Sequence, residues 1–386
     1  MSKTRIYALD LLRGIVMIIM ALDHTRDFFH FDAFLHDPLD VTTTSVPLFF
    51  TRWVTHFCAP VFVFLAGTSV YLQSLRKSKA ELSRFLLQRG LWLIFVELAV
   101  MSLAFTFDLG YTALILQVIW AIGISMVLMG LMIKLPFNAM LFLGTLIVSC
   151  HNIFDSIEST HQGFFWDLLR NGNFATHNLG AGHQLIIIYP FLPWLGLMML
   201  GFCLGKIYEP TFDVALRKKI LTRVGLAAIF LFAGMRYLNG YGDPFPWSAQ
   251  ESPTFTFLSF LNVHKYPPSF LYICITMGPA LLFLSFFEKS DGKLVRAVSV
   301  YGRVPFFYYI IHFYVLHGLC TILFLSRGHT LQEPTTLPFR FLIPGEGYSL
   351  ATVYLIWALL VLALYPLCKW FSEYKKRKSY AWLSYL

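Results

Sequence analysis

Charged side chains are scarce in this sequence of 386 residues. Asp, Glu, Lys and Arg together make up 13% of the chain, whereas 57% is hydrophobic and the mean hydropathy is +0.64. A soluble globular domain of this size does not need so much apolar surface, and repeated apolar runs of about 20 residues indicate transmembrane helices. A soluble protein is therefore not expected.

Cysteines are few and show no paired spacing. The chain has six, all within apolar runs: Cys58, Cys150, Cys203, Cys274, Cys320 and Cys368. This pattern indicates small core residues, so neither a disulfide framework nor a metal site is expected. Internal repeats and low-complexity segments are also missing, and no small-residue cleavage site follows the first apolar run. We therefore expect the first helix to be retained.

Ten apolar segments have the length and composition of membrane spans. They are centred on residues 8–28, 50–74, 84–106, 111–133, 135–152, 184–206, 219–237, 266–287, 303–325 and 348–370. A helix needs about 20 apolar residues to cross the hydrocarbon core. The sequence therefore predicts an all-α, polytopic integral membrane protein with about ten transmembrane helices, in which residues 1–386 form a single domain.

The basic residues predict the orientation of these helices. The net charge is +9, and most of the 30 Lys and Arg residues lie at the two ends of the chain and in alternate connections. The positive-inside rule then places both termini in the cytoplasm. Because this asymmetry accounts for the basic excess, no nucleic-acid partner is expected, and membrane lipid is the expected surroundings.

The first span carries the most informative polar residues. Its sequence LDLLRGIVMIIMALDHTRDFFH includes Arg13, Asp23, His24 and Asp27. Charged side chains inside the membrane are costly and indicate function by default. Arg13 and His24 are eleven residues apart, which on a helix is three turns plus about 20°. The two side chains are therefore expected on one face, roughly 16 Å apart along the axis.

Neighbouring residues allow several partners for these groups. Asp10 lies one turn before Arg13 and can pair with it, while Asp27 lies at i+3 from His24 and is better placed than the adjacent Asp23 to hold the imidazole. His56 lies near the external end of the second span. Glu97, near the middle of the third span, is another costly carboxylate whose role, structural or proton-handling, stays open.

Two further arginines lie at the cytoplasmic ends of spans. Arg89 and Arg303, together with Arg13, are candidates for a basic cradle that holds a phosphate-bearing ligand from the cytoplasm. The alternative is that Arg89 and Arg303 extend to lipid headgroups.

The external loops are long and aromatic. The segment GYGDPFPWSAQESPTF contains Trp247, and Lys265 and His317 are assigned to the same side. Aromatic rings there can stack on a sugar, although an interfacial aromatic belt is the commoner explanation. These three residues are the candidates for binding a substrate.

Several stretches resemble a known family of membrane enzymes. The pairing of LDLLRG with MALDH is similar to the motif of membrane acyltransferases that modify bacterial surface sugars. The rest resembles the bacterial branch of the heparan-α-glucosaminide N-acetyltransferase catalytic-domain family. The stretches are TRWVTHFCAPVFVFLAGTS (51–69), YPFLPWLGLMMLGFCLGKIY (189–208), FLSFLNVHKYPPSFLYICITMGPAL (257–281) and YGRVPFFYYIIHFYVLH (301–317).

The resemblance implies transfer of an acyl group, acetyl by preference, from cytoplasmic acyl-coenzyme A to an amine or hydroxyl of an extracytoplasmic sugar or glycoconjugate. It also implies a bacterial cytoplasmic membrane as the location. Lysosomal members place the catalytic His in the loop after the first family helix, where this chain has His36 within FLHDP. The catalytic residue is therefore either His24, which we favour, or His36.

The roles implied for the other residues follow from this chemistry. His24 is expected to act as general base or as a transient acyl carrier, with Asp27 or Asp23 orienting its ring. His56 or Lys265 is a candidate for stabilising the thioester oxyanion. Arg13, Arg89 and Arg303 are the expected contacts of the coenzyme A phosphates.

Two other functions are compatible with the same residues. Buried Asp, Arg and His residues also occur in transporters and flippases of anionic solutes or lipid-linked sugars. A haem protein is the other alternative, with His56 paired to His312 or His317 as axial ligands. The sequence leaves open the acceptor, N- against O-acylation, the acyl-chain length and whether the chain forms a homodimer.

Overall fold

The computed structural model describes residues 7–156, 163–333, 338–378 and 380. It is mostly helical, with 69% helix and 5% strand. Residues 1–6, which include the Lys3 and Arg5 that contribute to the predicted orientation, lie outside the described residues, as do residues 157–162, 334–337, 379 and 381–386.

Fifteen α-helices and three short strands follow one another along the described chain. The first group is α1 (Tyr7–Phe29), α2 (Val46–Trp53), α3 (Cys58–Ser74), α4 (Lys79–Val96), α5 (Ser102–Thr106), β1 (Ala113–Leu116), α6 (Val118–Met132) and α7 (Phe137–Cys150). The second group is α8 (Phe164–Leu169), β2 (Ala175–Gly180), β3 (His183–Ile187), α9 (Phe191–Gly205), α10 (Val214–Leu238) and α11 (Pro253–Leu261). The last group is α12 (Phe270–Phe286), α13 (Lys293–Arg303), α14 (Pro305–Ser326) and α15 (Leu350–Arg377).

Each of the ten predicted apolar segments overlaps one or two of these helices. Seven helical stretches, several of which join an α-helix to an adjoining 3₁₀ or π-helical turn, are long and apolar enough to cross a membrane. The remaining three segments, which correspond to α1, α6 and α12, do not contain a helix of this kind. Helix α1 carries several charged residues, whereas α6 and α12 are shorter than the segments predicted for them. Part of the fourth segment forms strand β1, and the sixth begins with β3. Ten crossings and the orientation of the termini remain predictions.

The chain divides into two compact units, each built from separate stretches of sequence. The first unit contains Met1–Cys58, Ala99–Ala113 and Lys289–Leu386, and the second contains Ala59–Leu98 and Leu114–Glu288. The single-domain organisation expected from the sequence stays a prediction.

Helix α1 packs against α2, α13, α14 and α15 in the first unit. Gly14 and Gly302 allow the closest approach, because a Cβ atom at either position would meet the backbone of the facing helix. Helix α15 is tied to its neighbours by two hydrogen bonds: the Trp357 indole donates to the Ile18 carbonyl at 2.8 Å, and the Tyr301 hydroxyl donates to the Val361 carbonyl at 2.7 Å.

In the second unit, helices pack in the pairs α4 with α6, α7 with α9 and α10 with α12. Strands β2 and β3 pair antiparallel, and the sheet has the order β1-β3-β2. Side-chain hydroxyls also join helices: Ser83 of α4 donates to the Gly130 carbonyl of α6 at 2.7 Å, and Thr68 of α3 donates to the Gly201 carbonyl of α9 at 3.0 Å.

The structure gives Glu97 a clear structural partner. This fully buried residue opens a π-helical turn, Glu97–Met101, and its carboxylate accepts a hydrogen bond of 2.7 Å from the backbone of Gln117, immediately before α6. The backbone N–H groups of Ile119 and Trp120 also donate to it. The first N–H groups of a helix have no intrahelical acceptor, so Glu97 satisfies the amino end of α6 inside an apolar region.

Replacing Glu97 should therefore affect stability through α6. In Glu97→Ala, buried N–H groups lose their acceptor, and we expect a loss of about 1–3 kcal/mol in the free energy of unfolding. Glu97→Gln retains a side-chain oxygen and should stay closer to wild type. Thermal unfolding of the detergent-purified variants measures the difference, and equal melting temperatures for Glu97→Ala and wild type would contradict this role.

Candidate active site

The polar residues of α1 contact the consecutive helices α13 and α14. Near its amino end, the Arg13 guanidinium donates to the Gly302 carbonyl of α13 at 3.2 Å and pairs with Asp10 at 3.6 Å. Three turns later, Nδ1 of His24 lies 2.7 Å from Nε2 of His312 on α14. Only Val304 separates α13 from α14. Arg13 and His24 thus contact one continuous pair of helices, as expected for residues on the same helix face.

The hydrogen-bond acceptors determine the tautomers of the two histidines. Nδ1 of His312 lies 2.8 Å from the Tyr308 carbonyl oxygen, which can only accept, so this nitrogen carries a hydrogen. In a neutral pair, Nε2 of His312 then has the lone pair, and Nδ1 of His24 donates to it. The remaining lone pair of His24 is on Nε2. This is the arrangement that a general base or nucleophile requires.

Aromatic rings enclose this histidine pair. His24 and His312 stack with ring centroids 5.0 Å apart and an interplanar angle of 12°. The rings of Phe313 and Tyr309 lie 4.6 Å and 6.2 Å from His24, both edge-on. His312 is fully buried, whereas His24 is half-buried. The packing holds the two imidazoles in one orientation and excludes water from most of their surface.

The carboxylates next to His24 bind arginines. Asp23 pairs with Arg26 at 3.1 Å and with Arg52 of α2, and Asp27 pairs with Arg26. Sequence analysis selected Asp27 to hold the imidazole. The structure instead places its carboxylate against Arg26, because a buried guanidinium so close in sequence is the stronger partner. The hydrogen bond to Nδ1 of His24 involves His312, which sequence reasoning assigned no catalytic role.

His36, the alternative catalytic residue, lies in a different environment. Its side chain is 55% exposed, and Nδ1 pairs with Asp32 at 2.7 Å in the turns that follow α1. His30 lies between the two positions in sequence and is buried, and this burial lowers its pKa below the ordinary value. Of the two candidates, His24 is therefore the one in a largely enclosed, apolar site.

The other predicted histidines are buried in the first unit. His56 lies in the 3₁₀ turn Val54–Phe57, which packs against α1. His317 uses both ring nitrogens, Nδ1 at 2.7 Å from the Ala104 carbonyl and Nε2 at 2.7 Å from the Arg340 carbonyl. His312 likewise uses both of its nitrogens. These bonds leave neither ring prepared to bind iron, which removes the main support for a haem site.

The remaining predicted residues are distributed over both units. Arg303 is the last residue of α13 and follows Gly302, the partner of Arg13, in the first unit. Arg89 on α4, Lys265 and Trp247 belong to the second unit. Lys265 lies over the Tyr266 ring at 5.1 Å, and Trp247 exchanges backbone hydrogen bonds with the Asn239 side chain at 2.9 and 3.0 Å. Their predicted roles in binding stay predictions.

Taken with the apolar helices, this site defines a class of protein. Among the described residues, no group of three or more His, Cys, Asp or Glu side chains is arranged to hold a metal ion. The protein is an integral membrane protein with histidines buried in a helical unit. The family model for heparan-alpha-glucosaminide N-acetyltransferase, catalytic, matches residues 5–241, and the chain belongs to this family.

The family assignment covers more than half of the chain and supports a membrane acetyltransferase-like function. The matched residues include Arg13 and His24, whereas His312 lies beyond them. A search of curated proteins gives no match.

The four-charge cluster of Asp23, Arg26, Asp27 and Arg52 should be important for stability. In Asp23→Ala, two largely buried guanidinium groups lose a partner, and we expect about 3–5 kcal/mol of destabilisation. Asp291→Ala is the matched control, because its pair with Arg296 is more than half exposed and should contribute little. Thermal unfolding in detergent measures both variants, and similar melting temperatures would contradict the assignment.

Proposed function

We propose that the protein transfers an acetyl group from acetyl-coenzyme A, bound from the cytoplasmic side, to an amine or hydroxyl of an extracytoplasmic sugar or glycoconjugate. His24 is the proposed catalytic residue. The proposal is supported above all by the His24–His312–Tyr308 hydrogen-bond chain, because it leaves the lone pair of His24 on Nε2 in an enclosed site of a family with transferase activity.

The first unit has groups that fit the donor. Arg13 donates to the Gly302 carbonyl, and Arg303 follows Gly302 at the carboxyl end of α13. Guanidinium groups such as these can bind phosphate. Further along, the buried hydroxyls of Ser299 and Tyr308 have no hydrogen-bond partner among the residues that the structure describes. Ser299 follows Val298, which touches Gly14, and Tyr308 precedes His312 by one turn. Such hydroxyls suit the amide groups of a pantetheine arm, which themselves need hydrogen bonds.

Helix geometry gives the distance between the proposed phosphate-binding residue and the proposed catalytic residue. Arg13 and His24 are about 16 Å apart along α1 by the rise of an α-helix. Coenzyme A has its phosphates at one end and its thiol at the end of a long, thin arm. A donor held by Arg13 at its phosphates therefore places its thioester near His24, beside the external end of α1.

The proposed reaction balances without a metal or oxidant. Nε2 of His24 takes the proton from the acceptor amine or hydroxyl as that group attacks the thioester carbonyl, forming the C–N or C–O bond. The C–S bond then breaks, and the departing thiolate takes the proton from His24 to give coenzyme A. In the alternative mechanism, His24 carries the acetyl group: Nε2 attacks the thioester and releases coenzyme A, and the acceptor then takes the acetyl group from Nε2 in a second step.

His312 orients His24 in both mechanisms, whether the acetyl group passes directly to the acceptor or first to His24. Its Nε2 accepts the Nδ1 hydrogen of His24, which keeps the lone pair on the opposite nitrogen. The hydrogen bond also stabilises the imidazolium that forms when His24 accepts a proton. His312 thus has the role that sequence analysis gave to Asp27 or Asp23. The charged pairs of those carboxylates with Arg26 and Arg52 lie within one turn of His24 and contribute to the field around it.

Substitution of His24 tests the proposal directly. His24→Ala removes the base, so acetyl transfer should fall by about 10²–10⁴-fold while acetyl-coenzyme A still binds. His36→Ala is the matched control and should retain activity near that of wild type. The measurement is release of coenzyme A with glucosamine as acceptor, in detergent-purified protein. Wild-type turnover in His24→Ala, or loss of turnover in His36→Ala alone, would refute the assignment.

Substitution of His312 tests the tautomer argument. His312→Phe fills a similar volume but offers no acceptor to Nδ1 of His24, so kcat should fall at least about tenfold with KM for acetyl-coenzyme A unchanged. His183→Phe, on strand β3, is the control and should not change kcat. Rescue of kcat by a variant with another acceptor, His312→Gln, would separate hydrogen bonding from packing. A normal kcat in His312→Phe would exclude the orienting role.

A transporter remains the second candidate, because buried Arg, Asp and His residues also bind and move anionic solutes. The pairing of Asp23 and Asp27 with arginines supports neither a proton relay through these carboxylates nor a solute site at them. Thioester cleavage by the purified protein distinguishes the enzyme from a carrier.

A further inference from the structure

Lys265 is a buried cation in the second unit. It lies in the loop between α11 and α12, and only 8% of its surface is exposed. Its ammonium group lies over the Tyr266 ring, 5.1 Å from the ring centroid. Within the part of the chain that the structure describes, no acidic side chain pairs with it. A cation–π contact offsets only part of the cost of removing an ammonium group from water.

One carboxylate holds the loop that carries Lys265. Asp243, whose side chain is 2% exposed, accepts hydrogen bonds from the His264 backbone N–H at 2.8 Å and from the Ser269 hydroxyl at 2.7 Å. The Ser269 backbone N–H in turn donates to the His264 carbonyl at 2.9 Å. Asp243 also pairs with the Arg236 guanidinium at 3.5 Å. The backbone on both sides of Lys265 is therefore fixed, and Asp243 is engaged elsewhere.

A second carboxylate of this network also has its own cation. Asp155 pairs with Arg170, which is almost completely buried. Both residues interact electrostatically with His264, the residue before Lys265. Asp155 and Asp243 are thus each matched by an arginine, and the charge of Lys265 is left without an acidic partner among the described residues. Buried charges are as a rule paired or bound to a ligand, so Lys265 is a candidate for binding an anion.

Two exposed phenyl rings lie beside the same loop. Phe174 is 54% exposed, and its ring packs edge-on against the Tyr266 ring at 5.5 Å. Phe245 is 61% exposed, and its ring packs edge-on against the His264 ring at 4.9 Å. The loop leads directly into the apolar helix α12. Exposed aromatic rings at the end of an apolar helix are typical of the membrane interface, where lipid headgroups supply phosphate.

We propose that Lys265 binds the phosphate group of a membrane phospholipid, with the glycerol and upper acyl chains of the lipid against Phe174. A lysine ammonium binds phosphate as a point charge, and burial strengthens the attraction relative to water. Because Asp243 already fixes the loop, binding requires little ordering of the backbone. This assignment gives Lys265 a lipid ligand in place of the substrate and oxyanion roles predicted from the sequence. It does not depend on the proposed acetyl transfer.

Lipid binding to the purified full chain in detergent tests the proposal. Phosphatidylglycerol is the probe, and diacylglycerol with the same acyl chains is the matched lipid without phosphate. Phosphatidylglycerol should raise the melting temperature as its concentration increases, whereas diacylglycerol should not. In Lys265→Met, Kd for phosphatidylglycerol should rise at least about tenfold, because a hydrogen bond to a charged group is lost. Lys265→Arg retains the charge and should bind more tightly than Lys265→Met.

Lys219→Met is the matched control variant. Lys219 is an exposed residue of α10 in the same unit, so its replacement should leave Kd for phosphatidylglycerol within about twofold of wild type. An equal loss of affinity in Lys219→Met would overturn the proposal, because it would show a general attraction between basic residues and anionic lipid. An unchanged Kd in Lys265→Met, or no response of wild type to phosphatidylglycerol, would also overturn it.

A purely structural role of Lys265 gives a different result. In that case lipid-free Lys265→Met melts at a lower temperature through the lost contact with Tyr266 but keeps its response to phosphatidylglycerol, which would contradict the proposal. Phe174→Ala changes an exposed side chain and provides a test if Lys265→Met does not fold. It should raise Kd for phosphatidylglycerol severalfold and leave Kd for inorganic phosphate unchanged. Inorganic phosphate bound by wild type as tightly as the lipid would exclude a lipid as the ligand.

Discussion

The hydrogen bond between His24 and His312 is the interaction on which the account of this protein depends. Polar side chains in an apolar helix are costly unless they are paired, and α1 contains several of them within 18 residues. The structure supplies a partner for each principal one: Gly302 and Asp10 for Arg13, His312 for His24, and arginines for Asp23 and Asp27. The charged side chains thus pair with one another or with a backbone carbonyl, whereas His24 pairs with a second neutral imidazole.

The polar residues of α1 fall into two groups, one that forms ion pairs and one that contains His24. The charged cluster of Asp23, Arg26, Asp27 and Arg52 neutralises itself and secures α1 against α2. His24 points instead to α14, where the Tyr308 carbonyl fixes the tautomer of His312 and, through it, that of His24. The structural ion pairs and the proposed catalytic imidazole therefore lie in adjacent turns of one helix.

Periodicity and hydropathy predicted much of this arrangement. They located the apolar helical regions, the shared face of Arg13 and His24, and the Asp10–Arg13 pair, because each depends only on the 3.6-residue repeat and on local composition. None of the three strands was predicted. The short apolar runs of Ile and Leu in β1 and β3 fit a helix as well as a buried strand, and β2 lies outside the ten apolar segments. The partner of His24 was also missed. His312 is 288 residues away, and spacing within one helix carries no information about contacts between distant helices.

The same limit explains why the partners of Asp23 and Asp27 were not predicted. Spacing alone placed Asp27 one turn from His24, but it could not show that Arg26 and Arg52 compete for Asp23 and Asp27. A guanidinium offers several donors in a plane and pairs with a carboxylate more strongly than a neutral imidazole does. The presence of Arg26 and Arg52 at the same end of the first two predicted spans was the sequence feature that pointed to these ion pairs.

Transfer across the membrane is the central claim, and vesicles test it most directly. Proteoliposomes loaded with glucosamine, and supplied outside with acetyl-coenzyme A labelled in its acetyl group, report whether label accumulates in the trapped sugar. The account predicts accumulation with wild type in the population whose donor side faces outward, and none with His24→Ala. Labelled sugar formed equally by the His24→Ala protein, or coenzyme A release without any trapped label, would contradict it.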